Sequence, residues 1–289
     1  MAVRLDERVL AQYRRISCYN SPFPAHRAGC AVDLYPGQEL VPSPVAGTVR
    51  SCEAYRAPRR PRTTATDVVL SIETDGHLAR ILHVDPVVAS GESIEVGDML
   101  GRAVRTGYFD PWVSPHAHLE FRPLGSNVRR ASGGLPIDLG IQPVGVEWGG
   151  TGTVVELGPR YAVLDEPTHP APGDRFAGIA ADGGGALDGG LPHYETGWIH
   201  GSARPHPTLF ETPLGTLRAD ESGRPILPWK AIRIEANGTP IRGLSCLLAR
   251  DGTFGARLID PPPLDLGEHV RITCLAEDNA EERSPWNRD

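Results

Sequence analysis

The sequence is poor in lysine, in aromatic residues and in long hydrophobic runs. Lys230 is the only lysine among 289 residues, and Phe, Trp and Tyr together make up 6% of the chain. No stretch approaches the ~20 apolar residues that a membrane-spanning helix requires, so we expect no membrane span. A basic excess is also lacking, because the formal net charge is −7. Phosphate binding needs a basic face, so we expect no nucleic-acid partner.

The number and spacing of the cysteines suit neither a disulfide framework nor a zinc site built from cysteines. The five cysteines are odd in number and form no Cys-x-x-Cys pair. We therefore expect free thiols in a reducing compartment, and neither a disulfide framework nor a cysteine zinc site. The first thirty residues carry charges throughout and contain no apolar segment typical of a signal peptide. These features predict a cytoplasmic protein.

Glycine and proline, in contrast, are abundant, with 33 and 28 residues spread along the chain. Frequent turns between short apolar runs predict an all-β fold. Some runs alternate with a period of two, as in Val68, Leu70 and Ile72, which suits a half-buried antiparallel sheet. The predicted strands are 31–34, 47–54, 67–74, 79–84, 99–104 and 118–122 in the first half, and 152–156, 161–164, 231–235, 245–249 and 270–275 in the second.

Composition also divides the chain into two domains. Residues 4–16 contain no glycine or proline and predict a helix, whereas a long Gly-rich loop is expected over 167–192. The predicted organisation is a helical extension at 1–19, a first β domain at 20–134, a Gly- and Pro-rich linker at 135–150, a second β-rich domain of unknown role at 151–276 and a flexible tail at 277–289.

Candidate site residues lie in the first domain. His116 and His118 occupy positions i and i+2 of a predicted strand, so they point to one face and can share a metal site. Asp33 ends an apolar strand, where a buried carboxylate needs a partner such as a cation. His26 precedes it, and His83 ends another apolar strand. Taken alone, Asp33 is more typical of a turn or cap, and His83 is equally typical of a core histidine bonded to a backbone carbonyl.

The order of the segments is more specific than any one of them. After His26 and Asp33 come Pro-Val-Ala-Gly-Thr-Val at 44–49, Ile-Leu-His-Val at 81–84, Val-Gly-Asp-Met-Leu-Gly at 96–101, Thr-Gly at 106–107 and His-Ala-His-Leu-Glu-Phe at 116–121. This order resembles that of the lysostaphin/LytM-type (beta-lytic) zinc metallopeptidases. The resemblance covers about residues 20–125.

The resemblance implies an antiparallel sheet of the duplicated hybrid motif type and a zinc-dependent metalloendopeptidase. Zinc would be held by His26, Asp33 and His118, which leave one position for water. His83 and His116 would match the family's two non-ligand histidines, which orient the water, take its proton and stabilise the oxyanion. The implied substrate is a peptide, such as a bacterial cell-wall cross-bridge. In the cytoplasm, another peptide or a modified amide is expected instead.

Several positions depart from the family pattern. His26 and Asp33 are seven residues apart, against four in many members, and Ala117 and Ile81 replace the usual leucine and tyrosine. The segment 106–114 is longer than the common form. It adds three aromatic residues that suit the wall of a groove: Tyr108, Phe109 and Trp112. These departures leave the metal chemistry intact and alter the expected substrate preference.

Two other functions share these sequence features. A catalytically inactive binding or scaffold protein would keep the fold, but members that lose catalysis usually lose ligands, and all five positions are filled in this chain. A biotinyl or lipoyl carrier would share the turn segments at 44–49 and 96–100. Such a carrier needs a modified lysine at a hairpin tip, and Lys230 lies far outside the domain. The sequence therefore favours an active zinc enzyme.

Overall fold

The computed structural model describes residues 2–201, 204–219 and 225–277. These residues form strands almost throughout, with two four-residue helices, so the all-β prediction is confirmed. Neither helix in this part of the chain is long and apolar enough to cross a membrane. The chain separates into two compact units, Met1–Cys18 with Phe23–Ile141 and Tyr19–Pro22 with Gln142–Asp289.

The first unit contains all six strands predicted for it, although 79–84 is divided at His83. Its elements are β1 (Val3–Asp6), α1 (Glu7–Leu10), β2 (Tyr13–Ser17), α2 (Pro24–Arg27), β3 (Ala31–Pro36), β4 (Leu40–Pro42), β5 (Gly47–Arg56), β6 (Thr66–Thr74), β7 (His77–Leu82), β8 (Val84–Pro86), β9 (Ser93–Ile94), β10 (Met99–Ala103), β11 (Ala117–Pro123) and β12 (Ile137–Gly140). Strands β4, β10 and β8 form a separate three-stranded sheet.

Seven strands of this unit are hydrogen-bonded in the antiparallel order β2-β3-β11-β7-β6-β5-β9. Along β11, buried apolar residues alternate with His118, Glu120 and Arg122, which therefore share the opposite face. Asp33 on β3 lies directly opposite His118, and Arg80 on β7 lies directly opposite Glu120. This register gathers a row of buried polar side chains on one face of the sheet.

The predicted helical extension at 1–19 is wrong. Residues 4–16 are divided among β1, the single turn of α1 and β2, because strand pairing overrides local helix propensity. β1 pairs in parallel with β12, and β2 pairs with β3. Tyr13 and Ile16 on β2 are buried, so this segment is part of the core of the first unit.

The second unit contains the five strands predicted for it, with 245–249 divided into two. Its strands are β13 (Val144–Val146), β14 (Thr151–Gly158), β15 (Tyr161–Leu164), β16 (Ala177–Ile179), β17 (Ala186–Leu191), β18 (Thr196–His200), β19 (Thr208–Leu209), β20 (Thr212–Pro213), β21 (Arg218–Ala219), β22 (Pro225–Pro228), β23 (Ile232–Ala236), β24 (Thr239–Ile241), β25 (Gly243–Cys246), β26 (Leu248–Ala249), β27 (Arg257–Ile259) and β28 (His269–Ala276). Eleven of them form one antiparallel sheet over a core of aliphatic side chains, in the order β21-β22-β18-β17-β25-β27-β15-β14-β28-β23-β24.

One prediction based on glycine content is wrong, and another is confirmed in part. The proposed linker at 135–150 contains the junction of the two units at Ile141 and Gln142, as predicted, but it also contains the strands β12 and β13. The proposed loop at 167–192 contains β16 and β17. In β17 the glycines make room for bulky neighbours: a Cβ at Gly190 would lie 2.4 Å from the ring of Tyr194. Glycine marks close packing there. Beyond Glu277, the predicted tail lies outside the described residues.

Candidate metal centre

The three predicted metal ligands converge in the first unit. His26 comes from α2, Asp33 from β3 and His118 from β11. The atoms His26 Nε2, His118 Nδ1 and Asp33 Oδ1 form a triangle with edges of 3.0, 3.1 and 3.2 Å. Within the described part of the chain, these residues form the one group of three His, Cys, Asp or Glu side chains placed to hold a metal ion.

Each of the two histidines in the triangle is oriented by an acceptor on its far side. His26 Nδ1 lies 2.8 Å from the carbonyl oxygen of Cys18. His118 Nε2 lies 3.0 Å from Glu120 Oε1. A carbonyl or carboxylate oxygen can only accept a hydrogen bond, so these outer ring nitrogens carry the protons. In the neutral imidazoles the inner nitrogens therefore carry lone pairs, which is the form that binds a metal.

A buried ion-pair network fixes Glu120. Arg80 Nη1 donates to Glu120 Oε1 at 2.6 Å, and Arg122 Nη2 donates to Oε2 at 2.5 Å. Backbone carbonyls of the 124–135 loop accept further hydrogen bonds from both guanidinium groups. Burial would raise the pKa of Glu120, but its hydrogen bond with His118 and the nearby positive charges lower that pKa to about 2. Glu120 is thus an ionised acceptor that holds the His118 ring.

Charge is concentrated on Asp33. Burial would raise the pKa of its carboxyl group, but the imidazoles of His116 and His26 hold that pKa well below its ordinary value. Burial opposes a charge on His118, yet its hydrogen bonds to Asp33 and Glu120 raise its pKa to about 9. Without metal, His118 is therefore protonated at neutral pH. A metal ion and a proton compete for this position.

His83 stands beside the triangle and is paired with Asp67. It lies between β7 and β8 with a left-handed φ of 65°. His83 Nδ1 donates to Asp67 Oδ2 at 2.6 Å, and its backbone N–H donates to Asp67 Oδ1 at 3.0 Å. Burial lowers the pKa of His83 to about 4, although the bond to Asp67 opposes this shift. At neutral pH His83 is uncharged, with its proton on Nδ1 and a lone pair on Nε2.

His116 approaches the triangle from another side. Its Nδ1 donates to the carbonyl oxygen of Ser114 at 2.9 Å, and its Nε2 lies 3.3 Å from Asp33 Oδ1. A third imidazole therefore reaches the same carboxylate oxygen. The ring stacks on Phe109 at 4.5 Å and lies against Tyr35 at 4.8 Å. The five residues predicted for the site lie together, and each residue is only 1–6% exposed.

The donor set fits a zinc ion. Atoms that share one zinc at roughly 2.0–2.2 Å lie no more than about 4.4 Å apart, and the edges of 3.0–3.2 Å satisfy this limit. In their neutral, metal-binding form, His26 and His118 direct lone pairs toward the charged oxygen of Asp33, an arrangement that a cation would stabilise. These three residues would hold the ion, with Glu120 and the Cys18 carbonyl fixing the imidazole rings.

Sequence reasoning missed Glu120, Asp67 and Arg80. A signal for Glu120 was present, because it follows His118 by two residues in a strand and must share its face. Asp67 and Arg80 come from other strands. Their contribution depends on strand register, which the positions of the motifs did not specify.

The buried neutral His83 predicts a loss of stability in acid. Its folded pKa of about 4 lies below its ordinary value of 6.5. Between these pH values the unfolded chain takes up a proton that the folded chain does not. The free energy of unfolding should therefore fall as the pH is lowered through this window, by about 3 kcal/mol at most. Denaturant unfolding of the metal-free protein at several pH values measures this loss.

The His83→Asn variant is the control for this experiment. Asparagine tolerates the left-handed backbone at this position and does not titrate. Between pH 6.5 and 4, the free energy of unfolding of the variant should fall by about 3 kcal/mol less than that of the wild type. Identical pH dependence in the two proteins would show that His83 does not remain neutral in the folded state.

Comparison with known families gives two matches. Residues 4–139 match the family model described as Domain of unknown function (DUF8155) N-terminal domain, and residues 144–275 match the one described as Domain of unknown function (DUF8155) C-terminal domain. No curated protein and no solved structure matches the chain. The boundary between the two matches includes the junction of the two compact units at Ile141 and Gln142.

Proposed function

We propose that this chain, similar in its two halves to the two DUF8155 domains, is a zinc-dependent metalloendopeptidase that hydrolyses a peptide or amide bond. One observation carries the proposal: the donor atoms of His26, Asp33 and His118 face one another at 3.0–3.2 Å while the outer imidazole nitrogens are tied to acceptors. The lysostaphin/LytM-like order of motifs supports the same function.

A zinc ion held by His26, Asp33 and His118 would supply Lewis-acid chemistry, because zinc polarises carbonyl groups and lowers the pKa of bound water to about 7. His83 acts as general base: Asp67 holds its Nδ1 proton, so Nε2 can accept a proton from water. His116 is the residue placed to stabilise the oxyanion that develops on the scissile carbonyl, which is the role that the motif resemblance implies for it. Glu120 keeps the His118 ring in its metal-binding orientation.

A metal-stabilised binding or scaffold protein without hydrolysis is the second candidate. Its support is the position of His116, whose Nε2 lies 3.3 Å from Asp33 Oδ1, nearly as close as the nitrogens of His26 and His118. Among the described residues only His26, Asp33 and His118 are placed to share one ion, so His116 would become a fourth protein ligand by a movement of its ring toward them. Four protein ligands are typical of a structural zinc site, whereas three leave the position that catalysis requires.

Metal analysis combined with hydrolysis assays on the full chain tests the proposal. We expect about one zinc ion per chain after zinc-replete expression, by the three-ligand rule for catalytic sites. Some members of a fluorogenic peptide library should be cleaved, cleavage should stop after chelation, and added zinc should restore it. A protein that stays metal-free would refute both functions, and one that binds zinc but cleaves no peptide or amide would refute the enzyme.

The His116→Ala variant separates the two candidates. In an enzyme it should keep its zinc affinity and lose hydrolysis, because His116 contacts the reacting group and not the metal. In a four-ligand structural site it should lose zinc affinity. His77→Ala is the matched control, since His77 lies at the start of β7, after the Asp75-Gly76 turn, and should leave both properties unchanged.

A further inference from the structure

Different parts of the first unit hold the ligand and the non-ligand histidines. Strands β3 and β11 and the short helix α2 supply the ligands. The two other histidines are contacted by the segment Arg105–Ser114, which we term the aromatic loop. Thr106 Oγ1 lies 3.4 Å from His83 Nδ1, and the Ser114 carbonyl accepts the Nδ1 proton of His116. The loop therefore reaches both histidines and carries none of the three ligands.

Phe109 is the centre of this contact. Its ring stacks on His116 at 4.5 Å with an interplanar angle of 7°, and meets the edge of His83 at 4.7 Å with an angle of 82°. The His83 and His116 rings are themselves nearly perpendicular, at 87° and 5.7 Å. The buried Phe109 ring thus packs against both imidazoles at once, nearly parallel to His116 and nearly perpendicular to His83. Contacts of this kind restrict the rotation of the two imidazole rings.

The backbone around Phe109 is fixed by two arginines. Arg105 donates to the carbonyl oxygens of Val113 and Asp110, which closes the aromatic loop on itself. Arg60 Nη1 donates to the carbonyl oxygen of Phe109 at 3.4 Å and lies 3.5 Å from Asp110 Oδ1.

Close packing at Gly107 adds to this constraint. A Cβ at that position would lie 1.7 Å from the carbonyl oxygen of Pro58, so the loop packs tightly against the neighbouring 57–65 segment. Backbone pairing between Thr64 and Thr106 fixes the same contact. The position of Phe109 is therefore determined by backbone contacts that do not depend on the metal ligands.

We propose that Phe109 is a positioning residue, which sets the angle between the general base His83 and the oxyanion-binding His116 without contributing to metal binding. The catalytic part of this proposal rests on the function proposed above, whereas the effect of Phe109 on the two imidazole rings does not. Both histidines must face one reacting group, and a misplacement of about 1 Å can lower a rate roughly 100-fold. Leucine at this position would fill part of the volume but would not supply a flat surface.

The test compares Phe109→Leu, Phe109→Tyr and Phe121→Leu in the full chain. Phe121→Leu is the matched control, because Phe121 is also buried but lies on the apolar face of β11. Imidazole NMR signals of His83 and His116, zinc affinity by competition with a chelator, and kcat and KM on a library peptide are measured for each. In Phe109→Leu the His116 ring protons should move downfield as the stacked ring is lost, and kcat should fall about 100-fold with zinc affinity unchanged.

Phe109→Tyr should keep the wild-type imidazole signals and most of the activity, since it retains the ring. Wild-type NOE contacts between the His83 and His116 rings in Phe109→Leu would overturn the proposal, because these contacts report the arrangement of the two rings and not the ring current of Phe109. An equal effect of Phe121→Leu would also overturn it. A wild-type protein that binds zinc but cleaves nothing ends the proposed enzymatic function alone, and the NOE contacts then still decide whether Phe109 orients the two histidines.

Discussion

Replacement of His118 by alanine is expected to abolish tight zinc binding by the full chain. The change removes one corner of the triangle with His26 and Asp33 and leaves two protein ligands, fewer than the three of a catalytic site. The loss of zinc affinity should exceed the roughly 10–100-fold weakening that is typical when a residue hydrogen-bonded to a metal ligand is removed. Titration against a coloured zinc chelator measures the dissociation constant. An unchanged constant in His118→Ala would mean that zinc, if bound, lies elsewhere.

Glu120→Gln provides a graded comparison for this result. Glutamine keeps the shape of the side chain but loses the charge that Arg80 and Arg122 neutralise and that holds His118. We expect zinc affinity to fall by about 10–100-fold, which is less than for loss of the ligand itself. Glu53→Gln removes the same charge from an exposed pair with Arg129 and should leave zinc affinity unchanged. Equal effects of the two glutamine variants would refute a specific role for Glu120.

Replacement of Asp67 by asparagine is expected to remove nearly all hydrolysis while zinc stays bound. Asp67 Oδ1 accepts hydrogen bonds from the backbone N–H groups of His83 and Val68, so the amide oxygen of asparagine should take that place. The amide nitrogen would then face His83 Nδ1 and donate to it. The His83 proton would move to Nε2, which could no longer accept a proton from water. A wrong tautomer of this kind lowers kcat by roughly 10,000-fold in a serine protease with a comparable aspartate–histidine pair.

Steady-state kinetics on a library peptide, together with the zinc content of each variant, measure this effect. Tyr55→Phe is the matched control, because it removes a hydrogen bond to Asp67 Oδ2 without changing the acceptor that His83 requires. We expect Tyr55→Phe to retain most of the activity. Comparable activity in Asp67→Asn and the wild type would exclude His83 as the general base.

The sequence was sufficient for the strands, which depend on local patterns, and the order of its motifs pointed to the three residues that the structure brings together. Alternation of Val68, Leu70 and Ile72 predicted β6, and the Asp75-Gly76 sequence is of the kind that forms the hairpin seen between β6 and β7. Helix propensity misled the prediction for residues 4–16, where pairing with distant strands decides the conformation. The glycines at 186–191 led to the incorrect prediction of a loop, because in β17 they allow close packing between strands.

The partners of the histidines could be predicted only with the register. Thr74 pairs with His77 and Leu70 with Ile81, so counting back along the same hairpin places residues 67–68 opposite 83–84. The turn at 75–76 therefore contained the information that brings Asp67 to His83. The pairing of Glu120 with Arg80 required one further step, because it joins β11 to β7 across a long stretch of chain. Contacts of the aromatic loop have no local periodicity and were not predictable.

The cross-strand pair of Asp33 and His118 has a consequence for how such a chain can change in length. Adding or deleting one residue in β3 before Asp33 would turn its carboxylate to the apolar side of the sheet and destroy the centre. His26 is on a single helical turn joined to β3 by residues 28–30, and a turn absorbs insertions without reversing a face. Natural and designed variants should therefore differ in length between these two ligands and stay fixed in length within the two strands.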